Sequence, residues 1–401
     1  MKAVGIAWLR LVVAAMVGVS VLAPAATARA AAAQGPLISE FAVPGTPNGI
    51  ATGADGNLWF TDPSNSSVDR FRPDGTVTAY PVGMNVNPGE ITSGSDGNIW
   101  FLEHNVQGTA PPIAYVGRIT TAGVATQYPT GSGGFLSGMA VGPDGSLWFN
   151  EVDVFKVAKM TTGGALTEYT NPNGPSAQEV GIAAGPDGNM WVTDAAGNIV
   201  WKVTTGGAFT AFHLPAPNRG ATAITLGADG NLWFAEGSAN QIGRMTPTGT
   251  LTEFSMPTSN AGVAGLAMGA DGNVWFTEAG ANQLGVISQT GVIREYPIPT
   301  ANSNPRGPAL GPDGHLWFPE YAGNLARISG PGRSTSNVPA ITGHVLPAGQ
   351  RSTPPPISQS SPSMLAPARD RSALAQIAPP ASPPVSTDLL EMILKRLRAF
   401  F

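Results

Sequence analysis

Seven acids recur at one position of a repeated phrase: Asp62, Glu103, Glu151, Asp194, Glu236, Glu278 and Glu320 each stand three residues after a tryptophan. A ring of carboxylates is the hard-oxygen ligand set that suits a divalent cation. In four repeats a base follows eight residues later, giving Asp62/Arg70, Glu151/Lys159, Asp194/Lys202 and Glu236/Arg244. If the hairpin between them is centred on its loop, each acid faces its base across two strands and the two form an ion pair. The same centring sets Val286 opposite Glu278 and puts Glu320 and Arg327 one residue out of register, while an insert separates Glu103 from Arg118. Glu103, Glu278 and Glu320 are then the acids left free, and Glu278 and Glu320 become candidates for a metal or ligand site.

The chain has four histidines and no cysteine, so thiolate chemistry, cysteine metal sites and disulfides are all excluded. His213 falls on an outer strand, His315 just after a turn and His344 in the C-terminal segment. His104 stands beside Glu103 and, with Glu90, offers a second possible metal set of two carboxylates and one imidazole. A solvated loop histidine is the competing reading.

These groups need a scaffold, and the phrase that carries them supplies it. Gly-x-Asp-Gly-x-apolar-Trp recurs with its aspartate at Asp55, Asp96, Asp144, Asp187, Asp229, Asp271 and Asp313, spaced 41, 48, 43, 42, 42 and 42 residues apart. That period fits one four-stranded propeller blade. The fifth repeat shows the strands: an inner one over 223–226, a tight Asp-Gly turn, a second over 231–236, a third through Ile242, Arg244 and Met245, and a fourth over 251–256. One tryptophan per repeat reads as a packing residue between blades. The seventh repeat has no fourth strand of its own, but Leu37-Ile38-Ser39-Glu40-Phe41 ahead of the first repeat matches Leu251-Thr252-Glu253-Phe254. The expected fold is therefore all-β: a seven-bladed β-propeller of four-stranded blades over residues 36–330, its ring closed by an N-terminal strand.

The ends read differently. Lys2 and Arg10, an apolar run over 11–22 and Ala28-Arg29-Ala30 have the form of a signal peptide over 1–30, which implies a secreted or extracytoplasmic protein. Residues 331–385 are rich in Pro, Ser and Ala and read as a disordered tail; residues 386–401 carry a short amphipathic helix, and its stretch 388–401 could touch a membrane surface or a partner. A formal charge of −5 with no basic cluster in the repeats argues against nucleic-acid binding. A monomer is expected, with an unknown small molecule or protein as partner at the propeller face.

Trp275-Phe276-Thr277-Glu278 and Asn240-Gln241-Ile242-Gly243-Arg244 resemble the repeats of the streptogramin (virginiamycin B) lyase family, a likeness that runs over about residues 36–330. The resemblance implies a divalent ion, usually Mg²⁺, held by carboxylates over the central channel, with histidines that act as ligand and general base in an elimination. The family's histidines belong to Pro-His-Gly phrases where the last two blades begin. Here Ala264 and Arg306 stand in those places, and Asn304 replaces a family glutamate; Glu320 falls near the family's second carboxylate. Glu278, Asn304, Arg306 and Glu320 are thus the expected ligand-binding residues. Two readings follow: a ligand- or partner-binding module without catalysis, or a metal-dependent lyase or lactonase-like hydrolase at the channel mouth.

Overall fold

In a computed structural model of the chain, residues 36–83, 86–105, 114–130, 135–215 and 218–329 are described. They all belong to the first of two units, 1–337 and 338–401, into which the chain divides. The leader expected at 1–30, the tail at 331–385, His344 and the helix at 386–401 lie outside the described residues. Among the described residues no helix is long and apolar enough to cross a membrane.

The glycines and aspartates of the repeated phrase make the tightest local structure. In Gly53-Ala54-Asp55-Gly56 the Gly56 amide donates to the Gly53 carbonyl at 3.0 Å, and Gly56 has φ +73°, a left-handed conformation that glycine adopts without penalty. Gly53 has no room for a side chain: a Cβ there would lie 2.6 Å from the Trp59 indole nitrogen. Asp55 accepts from the Asn57 amide at 3.2 Å and from Trp59 Nε1 at 3.1 Å, so one carboxylate fixes both the turn and the ring. The indole-to-aspartate bond recurs in all seven repeats at 3.0–3.2 Å.

Held this way, each tryptophan packs into the following blade. Trp59 joins Ile91, Ile99 and Phe101; Trp233 joins Val274 and Phe276; and Trp317 joins Ile50, Leu58 and Phe60 of the first blade. The result is seven antiparallel four-stranded sheets, six of them running from an inner to an outer strand in chain order. The seventh sheet is completed by strand Leu37–Ala42, antiparallel to Asn324–Ser329 with Phe41 opposite Leu325. The inner strands touch in sequence around the ring, including Ile50–Thr52 against Ala309–Leu310. The seven-bladed propeller and its N-terminal closure thus stand as expected.

The cross-strand ion pairs do not. Asp62 lies opposite Ser67, across a loop of residues 63–66, and this tight turn moves the centre of the hairpin towards the acid. Arg70 therefore faces Trp59, Lys159 faces Trp148, Lys202 faces Trp191 and Arg244 faces Trp233. Blade seven, whose loop is one residue shorter, still pairs Trp317 with Arg327, and blade two pairs Trp100 with Arg118. Each base lies 5.4–6.0 Å from the tryptophan ring and from an aromatic ring of the outer strand, a cation-π arrangement. Five of these bases form ion pairs with the turn aspartates Asp55, Asp144, Asp187, Asp229 and Asp313 at 3.4–3.9 Å. In blade six Val286 faces Trp275, so no cation occupies this place.

Candidate functional site at one mouth of the channel

The alternation of side chains along a strand decides where the seven acids go. In blade six Trp275 and Thr277 point to blade seven, and the Thr277 hydroxyl donates to the Arg306 carbonyl at 3.0 Å. Phe276 and Glu278 take the opposite face, where Phe276 packs with Trp233 and Ile242 of blade five. Glu278 therefore lies in the seam between blades rather than over the channel. All seven acids are buried, Glu103 at 2% exposure and the others at 0%.

Their partners differ, and so does their chemistry. Asp62 accepts from the Thr46 and Ser64 amides and from Asn65 Nδ2, and Asp194 from the Gln178 and Gly197 amides and Trp201 Nε1. These two close loops. Glu103 accepts from Gln127 Nε2 at 2.6 Å; burial raises its carboxyl to about 7. Glu278 has no hydrogen-bond partner for either oxygen, and burial with the nearby Glu295 charge pushes it up to about 8. Glu320 accepts from Asn324 at 3.0 Å and is raised to about 7 by burial and by Glu40. The outer glutamates are the better solvated by hydrogen bonds: Thr258 gives its amide and hydroxyl to Glu295, and Thr300 gives the same pair to Glu40. Glu278 and Glu320 thus each meet their own outer glutamate, in two separate seams.

A different set of residues converges on the channel mouth at the ends where the second strands finish and the inner strands begin. The inner strands of blades six and seven approach so closely there that a Cβ on Gly265 would lie 2.3 Å from the Gly307 Cα. Ala264 and Arg306 each stand one residue before these glycines. Arg306 is fixed by its amide, which donates to the Pro319 carbonyl at 2.8 Å, and its guanidinium lies 5.0 Å from the Tyr321 ring. Burial depresses its pKa, while Tyr321 and Glu90 act in the opposite sense. Glu90 belongs to blade two, which is not a neighbour of blade seven in the ring, so the two charges sense one another across the pore. Asn304 is exposed, adopts a left-handed φ of +50° and accepts from the Tyr321 amide through its carbonyl at 3.3 Å.

Glu90 and His104 come together, with Oε2 and Nε2 3.7 Å apart. Burial opposes ionisation of Glu90, but the hydrogen bond and charge of His104 hold its pKa below the ordinary value. His104 stacks on Phe135 of blade three with centroids 4.6 Å apart. Glu103 does not join them, because successive side chains on a strand face opposite ways. Among the described residues, no three His, Asp or Glu side chains are grouped so as to hold a metal ion. His213 is exposed on its outer strand and His315 pairs with Asp313 at 3.4 Å, both away from this mouth.

The two aromatic rings of the mouth, Phe135 at 46% and Tyr321 at 37% exposure, escape the sequence reading. Tyr321 directly follows a repeat acid, and Phe135 follows the glycines at 133 and 134, outside any strand alternation. An aromatic residue placed just outside the apolar period is the signal that could have found them.

Comparison with known proteins places this geometry. The family model described as the virginiamycin B lyase family matches residues 36–328. No curated protein matches the chain. A crystal structure of virginiamycin B lyase from Staphylococcus aureus is 31% identical, with 73% of this chain and 99% of that one covered and a TM-score of 0.68. A catalytically inactive histidine-to-alanine variant from S. aureus, crystallised with quinupristin, matches with the same figures. The extracellular domain of a putative hybrid two component system from B. thetaiotaomicron shares the fold at 14% identity, with 76% of this chain and 44% of that one covered and a TM-score of 0.58. With its repeats, its closed ring and nearly the whole propeller covered by the family model, the chain belongs to the virginiamycin B lyase family.

Proposed function

We propose that this chain is a secreted binding module on the lyase scaffold, taking a small molecule or a partner at the channel mouth formed by blades two, three and seven. The observation that carries the reading is Arg306. A guanidinium stands where the family resemblance places a histidine; it cannot accept a proton near neutral pH and repels a divalent cation. Ala264 supplies no ligand at the other histidine place. The donor set at this mouth does not fit Mg²⁺: Glu278 and Glu320 are turned into separate seams, and Glu90 is paired with His104. Secretion is supported by the charged and apolar leader with its Ala28-Arg29-Ala30 sequence.

The test is incubation of the purified full chain with quinupristin and Mg²⁺, followed by liquid chromatography with fragmentation mass spectrometry, since elimination opens the ring without changing the mass and hydrolysis adds one water. The expected outcome is unchanged cyclic compound. Ring-opened product that disappears in a Glu320→Gln variant would overturn the reading in favour of a metal-dependent lyase or lactonase-like hydrolase.

A further inference from the structure

We infer that the channel mouth recognises an organic anion that joins a carboxylate to an aromatic ring, with Arg306 as the anion anchor. This inference rests on the binding-module reading above and gives it a ligand class. Among the described residues, Arg70, Arg219, Arg244 and Arg327 each have a carboxylate within 3.0–3.9 Å. Arg306 has none, and neither has Arg118; but Arg118 lies against two rings, Trp100 and Tyr128 at 5.7 and 5.6 Å, whereas Arg306 has one, Tyr321, and its Nε, like that of Arg118, is buried without a hydrogen-bond partner. A half-buried guanidinium that has lost water and has no carboxylate in contact is a site prepared for an anion, since a charge-assisted bond recovers that cost.

The surroundings select what the anion must carry. Tyr321 lies against the guanidinium at 5.0 Å and still exposes part of its ring to the mouth, and Phe135, stacked on His104, is more exposed still. A partly exposed ring beside a fixed cation, as Tyr321 is beside Arg306, favours a flat apolar body attached to the carboxylate. Glu90, whose charge reaches Arg306 and which is 47% exposed, opposes an incoming negative charge. His104 partly offsets it. The site is therefore tuned by one acid whose removal should strengthen binding, a sign that a damaged fold would not produce.

The experiment is isothermal titration calorimetry of the full chain with benzoate and, separately, with neutral benzamide. Benzoate is expected to bind saturably and at least about tenfold more tightly than benzamide, the margin of a charge-assisted pair over a neutral one. Arg306→Gln should remove that preference, Arg306→Lys should keep part of it, and Glu90→Gln should tighten benzoate binding severalfold. Equal affinity for benzoate and benzamide overturns the anion assignment while leaving a binding module in place. Benzoate preference that survives in Arg306→Gln, or no saturable benzoate binding at all, overturns it as well. Ring opening of quinupristin would instead remove the reading on which it rests, so the two failures are told apart.

Discussion

At the scale of single residues, the acids that look like a cation ring are buried, and in four of them, Glu103, Glu236, Glu278 and Glu320, burial favours the neutral carboxyl. Glu278, raised to about 8, and Glu103, Glu179, Glu236 and Glu320, raised to about 7, all owe the shift first to burial; Asp69, raised to about 6, behaves alike. A carboxyl with a folded pKa above its unfolded value binds more protons in the native state. Its contribution is complete below about pH 4.5 and is lost as pH rises through 7 to 8. Stability measured by urea unfolding should therefore fall between pH 5 and pH 9. Glu278→Gln, which keeps the shape and removes the charge, should flatten that slope by roughly 1–3 kcal/mol across the interval. A slope unchanged by the substitution would show that Glu278 is ionised in the native protein.

At the scale of the element, the unit of cohesion is the rung of tryptophan, base and outer ring that each blade presents to the next. The base often reaches on to the next blade's outer turn: Arg70 donates to the Thr121 carbonyl, Lys159 to Thr205 and Arg244 to Gln289. Blade seven has no such turn, because its outer strand comes from the other end of the chain, and blade six is the one without a base. There Val286 faces Arg294, whereas Arg244 faces Thr252; Trp275 and Tyr296 stand 6.5 Å apart, against 5.2–5.7 Å in the equivalent stacks. The double exchange Val286→Arg with Arg294→Thr should rebuild the rung and raise stability by about 1 kcal/mol, seen as a higher melting temperature. Val286→Arg alone, which sets two guanidiniums opposite one another, should gain less. The strands themselves were readable from the sequence, since the Asp-Gly turns and apolar runs bound them to within two residues. Their register was not: the four-residue loop that follows the acid in five of the blades is set by backbone geometry, and a shift of the hairpin centre by little more than one residue exchanges an acid for a tryptophan as the partner of the base. The mouth was half legible. Arg306 and Ala264 stood out in their phrases, but the meeting of Glu90 with Arg306 depends on two blades that are not adjacent.

At the scale of the whole molecule, closure is what turns seven sheets into a pore with two mouths. Strand Leu37–Ala42 covers the edge of Asn324–Ser329, and Glu40 ties it to Thr300 at the end of blade six through two bonds of 2.9 Å. Removing residues 36–42 should leave an open edge strand and shift the protein to oligomers or aggregate in gel filtration. Ring count and closure were legible because both are properties of period, whereas the direction of a side chain around the ring depends on twist and seam packing. In the binding-module reading, a cationic mouth replaces the metal-binding mouth that the family resemblance implies. Manganese uptake followed by electron paramagnetic resonance tests this directly, comparing the full chain with a variant that carries Ala264→His, Asn304→Glu and Arg306→His. The native protein should show no saturable uptake and the variant should acquire it; saturable uptake by the native protein that Glu320→Gln abolishes would contradict the account.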